Sequence, residues 1–152
     1  MKIELLAERP HLVPAVTNWL FEQFSYLEPN DTCEIFENRT KERLKTSGCP
    51  VTFVSLEGEA LTGTASLVED DLDSYTQFTP WLADVYVHPS YRGRGHGKHL
   101  AHAVIEHAKR YQYPILYLYT HDQQAFFKDL GWVELLQSSL NGTPITIMKR
   151  AL

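Results

Sequence analysis

The residues best equipped for chemistry lie together past the middle of the chain, in Val85-Tyr86-Val87-His88-Pro89-Ser90-Tyr91-Arg92-Gly93-Arg94-Gly95-His96-Gly97-Lys98. A β-branched and aromatic run enters a turn with glycine at every second position, and the turn enters an apolar-periodic stretch. Glycine lets a backbone bend sharply and approach a ligand closely. The first N–H groups of a helix have no partners within it, and the helix dipole adds partial positive charge there. A strand-to-helix junction of this kind binds phosphate. Arg92, Arg94 and Lys98 bring full charges suited to its oxygens.

Other glycine-rich sites fit less well. A P-loop is out, because Gly97-Lys98 is followed by His99 and not by Ser or Thr. A dinucleotide fold carries its Gly-rich turn in the first strand-helix-strand unit, whereas this turn comes late and after a hairpin. No Gly-x-Ser-x-Gly elbow exists, so serine hydrolase chemistry is unsupported. His96, His99 and His102 lie close in sequence without a carboxylate-rich partner set, so a helix face near phosphates is expected in place of a metal site.

The surrounding elements must position that turn. Residues 3–7 read as a strand. Pro10 suits a first helical turn. Leu12, Val13, Val16, Trp19, Leu20 and Phe24 recur at three- and four-residue steps, which predicts a helix whose aromatic residues Trp19, Phe21, Phe24 and Tyr26 are mainly core. Asp31 or Thr32 can cap a second helix running to about Lys45. Val51–Leu56 and Leu61–Val68 flank Gly58-Glu59 as a hairpin. Residues 69–80 are polar and acidic, hence a loop. A strand over 81–87 follows, then a helix from 95 to about 111 with Leu100, Val104, Ala108 and Tyr111 inward. A strand over 114–120 and a short helix over about 123–130, stopped by Gly131, come next. Strands over 132–137 and 145–148 join around Asn141-Gly142. This order predicts one mixed sheet covered by helices, as a single domain over residues 1–152.

Composition bounds the function. A chain of 152 residues with 43% apolar content can bury a core without staples. Cys33 and Cys49 form no CxxC and read as reduced bystanders. No run approaches ~18 apolar residues, and no basic-then-apolar leader opens the sequence, so the expectation is a cytoplasmic protein with no membrane role. The net charge of −5 argues against a nucleic-acid partner, which would need clustered Lys and Arg. That charge is unevenly divided. Residues 1–75 carry 14 acidic and 6 basic side chains, whereas residues 76–152 carry 5 and 8. The split suggests that the second half holds an anion and the first faces something less negative, or else that solvated faces fall unevenly.

Arg92-x-x-Gly95-x-Gly97, preceded by Val-x-Val-His-Pro and followed by an amphipathic helix, resembles motif A of the GNAT superfamily of acetyl-CoA-dependent N-acetyltransferases. Leu116-Tyr117-Leu118-Tyr119-Thr120 is similar to that family's fifth strand, and Gln124-Ala125-Phe126-Phe127-Lys128-Asp129-Leu130-Gly131-Trp132 to its FYekLGF helix and turn. Gly63-Thr64-Ala65-Ser66-Leu67 matches the end of its hairpin. The resemblance spans nearly the whole chain. It implies an α/β fold, a mixed and mostly antiparallel sheet of about seven strands flanked by about four helices, splayed between strands four and five. It implies acetyl-CoA as co-substrate, with pantetheine in the splay. Val85, Tyr86 and Val87 would then bond it through the main chain, with one N–H facing the thioester oxygen. Arg92, Gly93, Arg94, Gly95, His96 and Gly97 would wrap the pyrophosphate with Lys98 close by, and Thr120 and Phe127 would line the pantetheine end.

The same resemblance raises a proton problem. An alkylamine acceptor has a pKa of roughly 10 and must lose a proton before attack, and a thiolate leaves more easily beside a proton donor. Where many members have a tyrosine hydroxyl, this chain has Phe127; where some place a base on the motif-A strand, it has Trp81 and Ala83. His121, just past the fifth strand, and Asp84, within the motif-A strand, are the replacement catalytic candidates. Either group takes the proton, or positioning and oxyanion stabilisation suffice, or the chain is a non-catalytic acyl-CoA-binding module. Another acyl-CoA donor also stays open. Asp70, Asp71 and Asp73 form an acidic loop that is either solvated surface or an attractor for a cationic acceptor. The expected partner is a small-molecule or peptide amine. Many relatives dimerise, and a homodimer is left open.

Overall fold

Seven strands and four helices emerge in the computed structural model, which describes all 152 residues. Strand β1 spans Lys2–Leu5 and is shorter than expected, because the buried Leu6 opens a single 3-10 turn. Pro10–Leu12 make a second such turn, and helix α1 (Val13–Phe24) starts three residues later than Pro10, with Pro14 in its first turn. Helix α2 (Cys33–Glu42) is capped by Thr32, whose hydroxyl accepts from the Ile35 N–H at 3.2 Å. It ends before Lys45 because Arg43 leaves helical geometry and sends its side chain inward. Strands β2 (Val51–Glu57), β3 (Ala60–Val68) and β4 (Trp81–Val87) follow, then helix α3 (His96–Arg110). Strand β5 (Ile115–Thr120), helix α4 (Gln124–Asp129) and strands β6 (Val133–Leu140) and β7 (Thr143–Ala151) complete the chain. The last two strands outrun their apolar pattern. Asn141 (φ 48°) and Gly142 (φ 84°) both adopt the left-handed conformation, the two-residue turn that matches strand twist, so the ladder continues to Leu140 opposite Thr143.

The sheet order is β1-β2-β3-β4-β5-β7-β6. Every neighbouring pair is antiparallel except β4 and β5. Those two are in register at a single pair, Trp81 opposite Tyr117, and then diverge. On one face α3 and α4 cover Leu67, Leu82, Leu116, Leu118 and Met148, with Leu100, Val104 and Ala108 fully buried from α3. Each large side chain removed from water there contributes roughly 1.5–3 kcal/mol. Tyr111, expected inward, is 40% exposed: it lies past the last helical turn, where its ring packs on His107. The opposite face packs α1 and α2 over Val54 and the 69–80 loop over Trp81, Ala83 and Ile147.

Strict alternation would put Asp84 beside Leu82 in the apolar α3 face. A bulge prevents this. The β3 register shifts between Thr64 and Ser66, and Asp84 takes φ 55°. Its carboxylate turns toward α2 and accepts from the Arg43 guanidinium at 2.6 Å. Left-handed backbone costs a non-glycine residue roughly 1–2 kcal/mol, and a charge-assisted hydrogen bond of about 1.5–3 kcal/mol can hold it there.

Gly63 sits where β3, β4 and α3 meet. A Cβ there would lie 2.8 Å from the Tyr86 carbonyl oxygen, 2.9 Å from Ser55 Oγ and 3.0 Å from Leu100 Cδ1. Gly63→Ala is therefore expected to cost roughly 1–3 kcal/mol, read as a lower denaturation midpoint at unchanged m-value; an unaltered midpoint would show that the packing yields there.

Candidate active site

The divergence of β4 from β5 opens a cavity of about 610 Å³. Beyond Trp81 the β5-facing edge of β4 has no strand partner, so its main-chain groups are free to bond a ligand. Val85, Tyr86 and Val87 line the cavity, as do Thr120 and Phe127 from the β5 side. Thr120 Oγ accepts from the Gln123 N–H at 3.0 Å and fixes the turn into α4. Phe127 is buried against Trp132 and offers no hydroxyl.

At one end lies the glycine turn. Gly93 and Gly95 have φ of 78° and 86°, which only glycine adopts without strain, and Gly95 is the N-cap of α3. The free N–H groups of α3 thus face the cavity. Arg92, Gly93, Gly95, His96, Gly97 and Lys98 line it, but Arg94 does not: its guanidinium lies over the Tyr91 ring, 5.6 Å from the centroid. The His96 ring is also spent elsewhere. It is buried, with Nδ1 bonded to the Thr62 hydroxyl at 2.8 Å and Nε2 3.3 Å from Glu57, so it anchors the start of α3 to the β2–β3 hairpin. Arg92 Nε donates to the Val87 carbonyl at 2.8 Å, which folds the turn back onto β4.

The other end is walled by Phe24, Tyr26 and Leu27; Phe24 serves both core and cavity, whereas Tyr26, expected in the core, is 50% exposed because it lies past the end of α1 at the cavity rim. Trp19 likewise packs on Tyr86 and His88. Here the cavity shares Phe24, Leu27, Asp71, Asp84 and Tyr119 with a second chamber of about 280 Å³. Six carboxylates line that chamber against two guanidiniums. Arg39 is paired with Asp31 at 2.8 Å and Arg43 with Asp84 at 2.6 Å, which leaves Glu28, Asp70, Asp71 and Asp73 without a cation. Burial, followed by the nearby Asp31, holds Glu28 above the usual carboxylate range. Burial and the neighbouring Asp84 push Asp71 up to about 8. Tyr119 is raised by burial and by Asp71 and Asp84, so it keeps its proton and can donate a hydrogen bond.

Both catalytic candidates border the cavity. Asp84 is committed to Arg43, and a proton arriving there would have to displace that pair. His121 Nδ1 lies 2.8 Å from the Pro144 carbonyl, which can only accept; Nδ1–H donates, and in the neutral ring Nε2 is left with a free lone pair. The Tyr26 ring stands against it, 6.3 Å away. Sequence reasoning treated Asp71 as one of three loop acids. The available signal was its neighbour Leu72, an apolar residue in a polar stretch, which is buried and pins the loop so that Asp71 turns inward while Asp70 and Asp73 stay exposed. Cys49 is no nucleophile, since burial pushes its thiol up to about 12.

The profile of the Acetyltransferase (GNAT) family matches residues 13–132, and the chain belongs to that family. Acetyl-CoA is accordingly its co-substrate, and the glycine cradle and the open β4 edge fit it. No curated protein matches the chain. Among solved structures, an aminoglycoside 6'-N-acetyltransferase complexed with coenzyme A is similar over 99% of this chain and 97% of its own, with 13% identity and a TM-score of 0.79. The yncA protein of Salmonella typhimurium, solved with its cofactor acetyl-CoA, covers 100% and 94% at 20% identity and a TM-score of 0.76. The ribosomal-protein-alanine N-acetyltransferase of Brucella melitensis covers both chains fully at 17% identity and a TM-score of 0.76. At these identities the likeness establishes the fold. No helix is long and apolar enough to cross a membrane.

Gly95→Glu would combine backbone strain with a carboxylate inside the anion cradle. Wild type should gain about 5–10 °C in Tm from acetyl-CoA at a hundredfold excess over Kd, and the variant should gain nothing. A preserved shift in the variant would place the cofactor elsewhere.

Proposed function

We propose that this acetyltransferase acetylates a cationic primary amine, which attacks acetyl-CoA directly in a ternary complex. The observation that carries the proposal is the polarity of the cavity: a cationic, glycine-lined end for polyphosphate runs into an acidic chamber suited to ammonium groups. Acetyl-CoA supplies an activated thioester. The chain's own residues then supply position and electrostatics. The glycine turn with Arg92 and Lys98 holds the anionic end, and the unpaired β4 edge aligns the chain of the co-substrate. A β4 N–H faces the oxygen where negative charge develops. Asp84 acts in this scheme as a positioning residue, because its pair with Arg43 holds the bulge on the strand edge that lines the slot. His121, at the Tyr26 rim with Nδ1 on the Pro144 carbonyl, is a second candidate side chain at that end.

The acidic chamber favours acceptors carrying more than one positive charge. The test is thiol release from acetyl-CoA with 1,4-diaminobutane, spermidine, kanamycin and an alanine-terminal peptide. The polycations should give acetylated product with the highest kcat/KM. Tight acetyl-CoA binding with no product from any acceptor would favour a non-catalytic acyl-CoA-binding module. Asp70→Asn/Asp73→Asn should raise KM for the preferred polycation about 2–10-fold, an effect that shrinks with added salt, and leave acetyl-CoA Kd alone. An unchanged acceptor KM would return those charges to solvated surface.

A further inference from the structure

We infer that Asp71, on the loop between β3 and β4, is the catalytic residue that takes the ammonium proton of the acceptor before attack. The inference rests on the acetyl-transfer proposal and assigns its missing base. Three placements support it. Asp71 borders both the slot and the acidic chamber, so an amine passing from one to the other meets its carboxylate. It carries no ion pair, whereas Asp84 beside it is committed to Arg43. The buried Leu72 fixes the loop next to it, which holds the half-buried carboxylate at the junction of the two cavities.

The surroundings suit the task. Asp84 from β4, Arg39 from α2 and Arg43 just past it, Glu28 and Asp31 from the segment between α1 and α2, Asp70 and Asp73 from its own loop and Tyr119 from β5 are the charged and titratable groups of the chamber around Asp71. The two guanidiniums are already paired, Glu28 is itself raised, and Tyr119 stays protonated. The crowding and burial that raise Asp71 make it a better match for an ammonium than an ordinary carboxylate would be. A cation entering the chamber favours its ionised form, so the base becomes available when the acceptor arrives.

An N–H bond of the ammonium breaks and its proton goes to Asp71. The freed lone pair of the nitrogen forms the bond to the thioester carbon, and the carbon–sulfur bond breaks with its electron pair on sulfur. The nitrogen gives up a second proton and the sulfur leaves as the thiol, so one proton is released overall, from Asp71 to solvent through the acidic chamber.

The experiment compares wild type with Asp71→Asn, Asp71→Glu and His121→Gln across about pH 6 to pH 9.5, using the four acceptors named above. Wild-type kcat/KM should rise through a limb well above the usual carboxylate range, the direction in which burial and Asp84 move Asp71. Asp71→Asn should lower kcat/KM by about 100-fold or more and leave only the rise set by the acceptor's own pKa of about 10. Asp71→Glu should recover part of the rate, and acetyl-CoA Kd should stay within about twofold throughout. A loss below about threefold in Asp71→Asn, or a limb removed by His121→Gln instead, would overturn the assignment. A second readout needs no acceptor. A carboxyl group raised by folding contributes stability at low pH that is lost as pH climbs toward its folded value. The Tm of wild type should therefore fall relative to Asp71→Asn between about pH 5 and pH 9, with acetyl-CoA present. A constant difference would sink the inference even if no acceptor is turned over, while loss of acetyl-CoA binding in wild type would instead sink the acetyl-transfer proposal.

Discussion

The Arg43–Asp84 ion pair is the interaction on which the working parts depend. Asp84 in a regular strand would drive a carboxylate into the apolar face under α3. The left-handed bulge removes it from that face, and Arg43 gives it somewhere to go. Two consequences follow from one bond. The bulge lies where β4 has already parted from β5 after the Trp81–Tyr117 register pair, so it shapes the unpaired strand edge that lines the slot. The same bond draws the end of α2 onto the sheet, so the helix that closes the acidic chamber is fastened to the strand that lines the slot.

Around that fastening, each end of the cavity is made rigid by a different device. At the anionic end it is geometry: positive φ at Gly93 and Gly95, and a hydrogen-bond chain from Ser55 through Thr62 to His96 that pins the first turn of α3. At the acceptor end it is apolar anchoring of polar segments. Leu72 and Phe78 hold a loop otherwise rich in acids, with Phe78 stacked on Tyr117 at 4.9 Å. Charges that crowd one another destabilise a fold locally, and sites of binding and catalysis are where such crowding gathers.

Much of this was legible in the chain. The residue pattern predicts the strand over 81–87 to its limits, and the glycine turn is legible because its geometry is local: spacing, φ freedom and adjacent cations are all visible in a short stretch. What was hidden depends on long-range pairing. Nothing near Asp84 announces that Arg43 will meet it, so its direction could not be decided from alternation. Arg94 looks equivalent to Arg92 in sequence, yet Tyr91 captures one and the Val87 carbonyl the other. Asp71 looks equivalent to Asp70 and Asp73 in sequence, yet it alone of the three is half-buried, beside the buried Leu72. Strand ends were missed where backbone pairing, indifferent to side-chain polarity, carried β6 and β7 past their apolar residues.

Asn141, half of the β6–β7 hairpin turn, also donates its amide to the Leu27 carbonyl at 2.7 Å, so the tip of that hairpin holds a wall of the acidic end from far along the chain. The glycine turn and the strand leading into it, by contrast, form one continuous stretch over residues 85–98. The two halves of the site therefore differ in how they can be altered. The continuous stretch can change only as a unit, while the acidic end is a patchwork whose pieces can be exchanged singly. Under the proposed function, selectivity could then be retuned at a distant turn without disturbing the glycine cradle.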